Sequence, residues 1–233
     1  MVYALIFAGG VGSRMGLEMP KQFIRVRNKP ILVHTLSVFN SSRIIDCIVV
    51  VVLSDYIDEV RKYISEYNLS KIIKVIPGGD TAMESQFKGL DFIEKQSTCK
   101  DDVVFIHDGV RPFIDEKLLN KCLETTIHKG NAITVSPATE TISILGVNHQ
   151  VKKILPRQKC MIARAPQVFY LNDIYNAHID VGAKRNNYVD SASLMMDKRT
   201  KLNTVVGPSE NIKITTQYDL MLCEMWMDKY GKN

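Results

Sequence analysis

The sequence lacks the features that mark membrane, disulfide-rich and metal-binding proteins. No run of about 18 apolar residues occurs, and the longest apolar stretch, residues 48–53, has the length of one strand. The five cysteines include no Cys-x-x-Cys pair, and no two histidines have the spacing of a metal site. A basic segment typical of a secretory signal is missing from the first residues. These absences argue against a membrane protein and a disulfide framework, and favour a protein of the reducing cytoplasm.

The charge balance is only slightly basic. Thirty Lys and Arg residues face 25 Asp and Glu residues, for a net charge of +5, and the excess is spread along the chain. A nucleic-acid binder usually concentrates its positive charge on one face or in one run. We therefore expect no nucleic-acid partner, and interpret the cations near glycine-rich loops as pockets for anionic small molecules.

Apolar and helical patterns alternate along the first 137 residues. Strands are predicted at 3–8, 47–53, 71–76, 102–106 and 132–137, with helices between them. This order predicts an α/β fold with a mostly parallel, doubly wound sheet. Ligands of such folds bind beyond the carboxyl ends of the strands. The loops of interest are therefore 9–21, 77–85, 107–113 and the segment after 137.

One segment breaks this alternation. Residues 141–155 have the pattern of a β-hairpin and no evident helix partner. We predict a single domain over 1–233 with a projecting β-arm at about 138–164, which packs on a second subunit. A strand at 167–171, helices at 173–182 and 190–197, a strand at 202–206 and a helix at 218–230 follow.

The loop after the first strand carries the strongest chemical signal. It has the sequence Ala-Gly-Gly-Val-Gly-Ser-Arg-Met-Gly over residues 8–16, followed by Pro-Lys-Gln at 20–22. Glycines let successive backbone N–H groups surround a phosphate, and Arg14 and Lys21 add full charges. Met15 occupies the third glycine position of the dinucleotide fingerprint, and no Gly-Lys-Ser/Thr ends a Walker A motif. The alternative is a tight turn with surface cations.

A second signal follows the fourth strand, where His107-Asp108-Gly-Val-Arg111-Pro occurs. The Asp108 carboxylate suits Mg²⁺ or sugar hydroxyls, and Arg111 suits a phosphate. The alternative is an Asp helix cap with an ion-paired Arg. We interpret His107 as a packed, hydrogen-bonded histidine and not as a base.

Further cations are less distinctive. Lys213 alternates with two isoleucines, which predicts a strand on which it faces away from the core. Arg157 and Arg164 bracket the return of the arm and suit an anionic ligand, although a solvated face explains them equally well. No Ser-His-Asp order or nucleophile elbow is present, so a hydrolase is not supported.

As an ordered set these motifs resemble the cytidylyltransferases that make CDP-methylerythritol and CDP-ribitol. The set includes the first loop, Pro-Lys-Gln, Gly78-Gly79-Asp80, the His-Asp-x-x-Arg-Pro segment, Ala165-Pro166-Gln167 and Asn-Ile-Lys-Ile-Thr at 211–215. The resemblance extends to about residue 225. It implies a Rossmann-like nucleotidyltransferase fold, a homodimer that exchanges its β-arms, and transfer of CMP from CTP to an alcohol phosphate with release of pyrophosphate.

The resemblance also implies roles for individual residues. Arg14, Lys21 and Lys213 would be catalytic, and Mg²⁺ or another divalent cation would bridge the phosphates, with Asp108 as its tentative ligand. The implied nucleotide-binding residues are Ala8, Gly9, Gly10, Gly12, Gly78, Asp80, Ser85 and Asp108. The implied acceptor-binding residues are Asp108, Arg111 and Lys213, with Thr141 and Arg157 of the neighbouring subunit.

Two positions depart from the family pattern. Ala82 replaces an Arg of the cytosine loop, and Ala165 replaces a Thr whose hydroxyl would contact the acceptor phosphate. The segments around Arg111 and Lys213 favour a polyol phosphate such as ribitol 5-phosphate, for teichoic acid or capsule synthesis. Methylerythritol phosphate, of isoprenoid synthesis, is the alternative acceptor. A nucleotide-binding protein without turnover, and less so an NAD-dependent oxidoreductase, are the alternatives of another class.

Overall fold

The structure is a computed structural model that describes residues 1–10 and 19–230. Its strands, in chain order, are β1 Val2–Ala8, β2 Arg25–Val26, β3 Lys29–Pro30, β4 Cys47–Val52, β5 Ile72–Pro77, β6 Val103–Asp108, β7 Asn131–Pro137, β8 Ser143–Leu145, β9 Val151–Ile154, β10 Met161–Tyr170 and β11 Thr204–Val206. Its α-helices are α1 Ile31–Ser41, α2 Ile57–Glu66, α3 Ala82–Gln96, α4 Glu116–Lys129, α5 Leu171–Val181, α6 Ser191–Asp197 and α7 Gln217–Tyr230.

The central sheet has the strand order β11-β7-β10-β6-β1-β4-β5. β10 runs antiparallel to both of its neighbours, and the other pairs are parallel. The predicted mostly parallel sheet is therefore confirmed. The carboxyl ends of β1, β4, β5 and β6 meet at one edge, and β10 begins at that same edge because it runs the other way.

Helices cover both faces of the sheet. Along β1, Ala4 and Ile6 pack into one buried cluster with residues of α1, α2 and α4. Tyr3 and Leu5 point to the other face and pack with residues of α3, α5 and α6. Burial on both faces explains why β1 and β4 are continuous apolar runs instead of alternating ones.

The arm forms a small sheet of its own. β8 and β9 pair antiparallel, which confirms the predicted hairpin. Its apolar side chains are exposed; Val147 is 83% and Ile154 62% accessible. Residues 161–164 of the predicted arm instead begin β10, where Met161 pairs with Pro137. The two-stranded unit therefore ends near residue 160.

Two local features differ from the expectations. A short hairpin, β2–β3, turns through Arg27 and Asn28, which have φ values of 49° and 62°. Helix α3 begins at Ala82, three residues before the helix that the sequence pattern predicts at 85–95, because the Thr81 hydroxyl accepts a hydrogen bond from the Glu84 N–H. No helix in the described ranges is long and apolar enough to cross a membrane.

Candidate active site

Two confluent cavities open at the carboxyl edge of the sheet. The larger has a volume of about 450 Å³ and the smaller about 270 Å³. Both are lined by Phe7, Ala82, Asp108 and Lys213, which therefore mark their junction. The arrangement offers two adjoining compartments for two substrates, with a carboxylate and an ammonium between them.

The larger cavity collects most of the residues predicted to bind a nucleotide. Its lining includes Ala8, Gly9, Gly10, Lys21, Asp80, Ser85 and Asp108. Gly78 lies directly behind Ser85, because a Cβ at this glycine would come within 2.9 Å of the serine Oγ. Gly12 and Arg14 lie outside the described residues. Phe7, Leu53, Thr81 and Val110 also line this cavity. Thr81 is the N-cap of α3, and the other three are apolar residues in or near strand ends, which carry no sequence signal for a site.

The loop at 78–80 is held in place by the first turns of α3. The Gly79 N–H donates to Ser85 Oγ at 3.0 Å, and the Asp80 N–H donates to Glu84 Oε2 at 3.0 Å. Lys88 Nζ donates to the Gly78 carbonyl at 2.8 Å. Ser85 therefore positions the loop as well as lining the cavity.

Lys21 is fixed close to the end of β1 by a single turn of 3-10 helix, Lys21–Phe23. The next residue, Gln22, is buried and its side-chain amide donates to the Ala8 carbonyl at 2.7 Å. Phe23 stacks on Tyr56 with ring centroids 4.4 Å apart. Gln22 was not predicted as a site residue. Its place in the Pro-Lys-Gln motif, directly after the predicted catalytic lysine, was the sequence signal that could have indicated it.

The junction is a network of two cations on one carboxylate. Lys213 Nζ lies 2.5 Å from Asp108 Oδ1, and Arg111 Nε lies 2.7 Å from Asp108 Oδ2. Arg111 Nη1 also donates to the Asn211 carbonyl at 3.0 Å. Burial alone would raise the pKa of Asp108, but the two cations lower it to about 2. The carboxylate is therefore ionised at neutral pH and holds both cations at the junction.

This geometry decides between earlier alternatives for two residues. Asp108 is not a helix cap, because the N-cap of α4 is Asp115. The expected strand around Lys213 is wrong, since residues 211–215 are irregular. The Ile214 N–H donates to the Val110 carbonyl and the Ile214 side chain is fully buried, which directs the neighbouring Lys213 to the junction.

His107 is a packed histidine, as predicted. It is fully buried, its Nε2 lies 3.0 Å from the Arg111 carbonyl oxygen, and its ring meets Phe39 edge-on. Burial lowers its pKa to about 4. The neutral ring supports the loop that carries Arg111 and does not reach either cavity lining.

The arm residues are not brought to the site of their own chain. Thr141 and Arg157 line neither cavity. Arg157 donates to the carbonyl of Thr139 within the same arm at 3.2 Å and is exposed. Arg164, at the start of β10, lines the smaller cavity instead.

The carboxylates near the cavities do not form a metal cage. Within the described ranges no group of three His, Cys, Asp or Glu side chains is arranged to hold a metal ion. Both oxygens of Asp108 contact cations. The side chains that the structure describes therefore do not fit a divalent cation held by them alone.

Comparison with known proteins decides the family. The family model described as "IspD: 2-C-methyl-D-erythritol 4-phosphate cytidylyltransferase" matches residues 2–229. The chain belongs to the IspD family. It is therefore a cytidylyltransferase, and the expected nucleotidyltransferase class is confirmed.

Relatives of this IspD-family chain carry two different names. The ribitol-5-phosphate cytidylyltransferase of Streptococcus agalactiae serotype V is 40% identical over 230 residues, covering 98% of this chain and 95% of the relative. The protein of the same name from Vibrio parahaemolyticus is 41% identical over 232 residues, covering 98% and 96%. The 2-C-methyl-D-erythritol 4-phosphate cytidylyltransferase of Geotalea uraniireducens is 35% identical over 227 residues, covering 97% and 96%.

The fold agrees with solved structures of the family. The 4-diphosphocytidyl-2C-methyl-D-erythritol synthase of Anaerococcus prevotii superposes with a TM-score of 0.84 at 28% identity, covering 98% of this chain and 96% of that one. The expected Rossmann-like nucleotidyltransferase fold is thus confirmed.

Proposed function

We propose that the protein transfers CMP from CTP to ribitol 5-phosphate, giving CDP-ribitol and pyrophosphate, for teichoic acid or capsule synthesis. The observation that carries this acceptor is the identity of 40–41%, over nearly the whole chain, to proteins named for ribitol 5-phosphate. The identity to the relative named for methylerythritol phosphate is 35%. The two cavities match a reaction of two substrates that meet at one phosphorus atom.

In this proposal CTP occupies the larger cavity. The backbone of the first loop and Lys21 bind the triphosphate, and the loop at 78–80 receives the base. Lys21 is buried and already fixed by the turn that contains it, so its ammonium needs little reorganisation to face the developing negative charge. Ala82 leaves this side of the cavity without a guanidinium, so backbone groups of the loop serve the base instead.

The acceptor occupies the smaller cavity with its phosphate at the junction. An oxygen of that phosphate attacks the α-phosphorus of CTP, a new P–O bond forms, and the bond to the β-phosphate breaks as pyrophosphate leaves. Nothing covalent is required of the protein, so positioning and charge stabilisation carry the rate. Lys213 contacts both compartments and is the group best situated to stabilise the pentacoordinate phosphorus.

Asp108 orients the cations of this step. Its ionised carboxylate fixes Lys213 and Arg111 at 2.5 Å and 2.7 Å before substrates arrive. A hydroxyl of the ribose or of the acceptor can then donate a hydrogen bond to the remaining lone pairs of the Asp108 carboxylate, beside the two fixed cations. A divalent cation such as Mg²⁺ would be bound mainly by the phosphates of CTP, whose charge it would neutralise, because residues 1–10 and 19–230 offer no group of three side chains to hold it.

A homodimer completes the site. The exposed apolar residues of the arm, among them Val147 and Ile154, are of the kind that pack on another protein surface. Thr141 and Arg157 cannot serve the cavities of their own chain as they stand. Exchange of the arms between two copies would bring both residues to the acceptor phosphate of the partner.

The test is pyrophosphate release from CTP and Mg²⁺ with a panel of acceptors. The panel contains the phosphates of ribitol, arabinitol, glycerol, mannitol and methylerythritol, with UTP and ATP as nucleotide controls. Release with ribitol 5-phosphate and CTP is expected. Preference for methylerythritol phosphate would move the enzyme to isoprenoid synthesis and reject the acceptor proposed here.

A further inference from the structure

Arg164 lines the smaller cavity and has no role in the reaction described above. It lies within the irregular stretch of β10, where the pairing with β7 shifts between Ala163 and Gln167. This shift turns the half-buried guanidinium side chain to the cavity that also holds Arg111 and Lys213.

The contacts of Arg164 fix it without neutralising it. Its Nε donates to the Oγ of Ser136, a residue that is 1% exposed, at 3.0 Å. In the part of the chain that the structure describes, no carboxylate forms an ion pair with Arg164. Arg111 lines the same cavity, and partial burial together with the positive charge of Arg111 lowers the pKa of Arg164.

The other charged side chains of the cavity already have ion-pair or hydrogen-bond partners. Asp108 pairs with both Arg111 and Lys213. The second carboxylate, Asp190, caps α6 by accepting from the Ser193 N–H at 2.8 Å, and its other oxygen accepts from the Gln167 amide at 2.7 Å. Among the described lining residues three cations therefore face two carboxylates, and Arg164 is the cation that has no ion pair.

We propose that Arg164 binds the phosphate group of the acceptor from within the same subunit. A guanidinium presents parallel N–H donors that match two oxygens of a phosphate, and partial desolvation strengthens the interaction. The phosphate is the anionic group of every acceptor considered above. Arg164 is thereby a specificity-determining residue that anchors the phosphate in its own chain, in addition to any contact from the arm of a partner.

This inference rests on the proposed function but can fail separately from it. The ranking of acceptors by the wild-type enzyme tests the choice of ribitol 5-phosphate. The effect of Arg164 variants on whichever phosphate the wild type prefers tests the phosphate anchor, because all members of the panel share that group.

The experiment compares Arg164→Gln and Arg164→Lys with the wild-type enzyme. For R164Q we expect the KM of the acceptor to rise at least about tenfold while the KM of CTP stays within about twofold, with partial rescue in R164K. Thermal stabilisation by ribitol 5-phosphate, titrated with the unreactive α,β-methylene analogue of CTP bound, should fall in parallel. Arg61→Gln, which removes one exposed cation of α2, is the charge-matched control and should behave as wild type.

A purely structural role for Arg164 predicts different results. Ser136→Ala removes the anchoring hydroxyl but keeps the guanidinium, and should change the acceptor KM less than R164Q does. An unchanged acceptor KM in R164Q would overturn the proposal. Equal losses for CTP and acceptor, accompanied by a lower Tm that S136A reproduces, would overturn it as well.

Discussion

The junction and the arm are opposite kinds of structure in one chain. At the junction, Asp108, Arg111 and Lys213 satisfy one another and are held by buried neighbours such as Ile214. On the arm, Val147 and Ile154 are exposed to solvent, and the exposed Arg157 donates a hydrogen bond to the Thr139 carbonyl of the same arm. The junction is thus preorganised within one copy of the chain, whereas the apolar side chains of the arm have no packing surface in that copy among the described residues. The comparison teaches that the charge network needs only one chain, whereas the acceptor site would be completed by a second chain in the arm exchange proposed above.

The largest effect is expected for Lys21→Ala, which tests the preorganised part of the site. We expect turnover to fall by about 10²–10³, the range seen when one preorganised donor to a transition state is removed. The fold should persist, because Gln22 and Phe23 still anchor the turn. Steady-state kinetics and far-UV circular dichroism check both points. Unchanged turnover in the variant would reject the mechanism. If the unaltered protein bound CTP but turned over none of the acceptors, it would be a nucleotide-binding protein without turnover.

The second test is Asp108→Asn, which leaves Arg111 and Lys213 without a counter-charge. Arg111 is buried but the Lys213 side chain is 38% exposed and can rehydrate, so we expect a loss of about 1–3 kcal/mol in unfolding free energy. Activity should fall with it, because the cations lose their fixed positions. Denaturant titration measures the stability, and a variant as stable as wild type would contradict the network described here.

The same variant makes a prediction about acid. The folded pKa of Asp108, about 2, lies below the ordinary value of 3.8. Its contribution to stability, about 2 kcal/mol, is therefore fully present above pH ~4 and lost as the pH falls towards 2. Wild type should lose stability across this interval more steeply than D108N. Parallel curves for the two proteins would show that this carboxylate is not the group responsible.

The arm side is tested by mixing two impaired variants. Arg157→Ala should lower acceptor turnover roughly tenfold or more, the value of a charge-assisted hydrogen bond, without affecting the fold because Arg157 is exposed. Mixed with Lys21→Ala, random re-association gives half heterodimers with one intact site each, and roughly a quarter of wild-type activity should return. Failure to complement, or a strictly monomeric and fully active enzyme, would contradict exchange of the arms.

The smallest effect concerns the loop behind the larger cavity. In Gly78→Ala the new Cβ would lie 2.9 Å from Ser85 Oγ and 3.5 Å from the Val52 carbonyl oxygen. The loop must shift by a few tenths of an ångström, which we expect to cost about 1 kcal/mol and raise the KM of CTP a few-fold. The KM of the acceptor serves as the internal control and should stay the same.

Much of this architecture could be predicted from local sequence patterns. Buried strands such as 47–53 and the arm hairpin were found because apolar runs and turn residues are local signals. The β2–β3 hairpin was missed because Arg27 is an unusual residue at positive φ, and the start of α3 because the Thr81 cap was not considered. The antiparallel course of β10 depends on how the chain returns from the arm, which no local pattern reports.

In the candidate site, too, contacts between residues close in sequence could be predicted, whereas contacts between distant residues could not. The pairing of Asp108 with Arg111 follows from their spacing of three residues, whereas the contact between Asp108 and Lys213 joins positions 105 apart in sequence. The family resemblance implied that both residues bind the acceptor, but their ion pair was not predicted. The free charge of Arg164 depends on which carboxylates are already engaged. That information exists only when all partners are known, so sequence left a solvated face equally plausible.

The arm leaves and rejoins the sheet at almost one point. Pro137 at the end of β7 pairs with Met161 at the start of β10, and the Ala138 N–H donates to the Cys160 carbonyl at 3.1 Å. Residues 138–160 therefore form an insertion that can be lengthened, shortened or replaced by that of a relative without breaking the pairing of β7 with β10. A change of length or sequence in this segment leaves the larger cavity intact, because none of its described lining residues lies between 138 and 160.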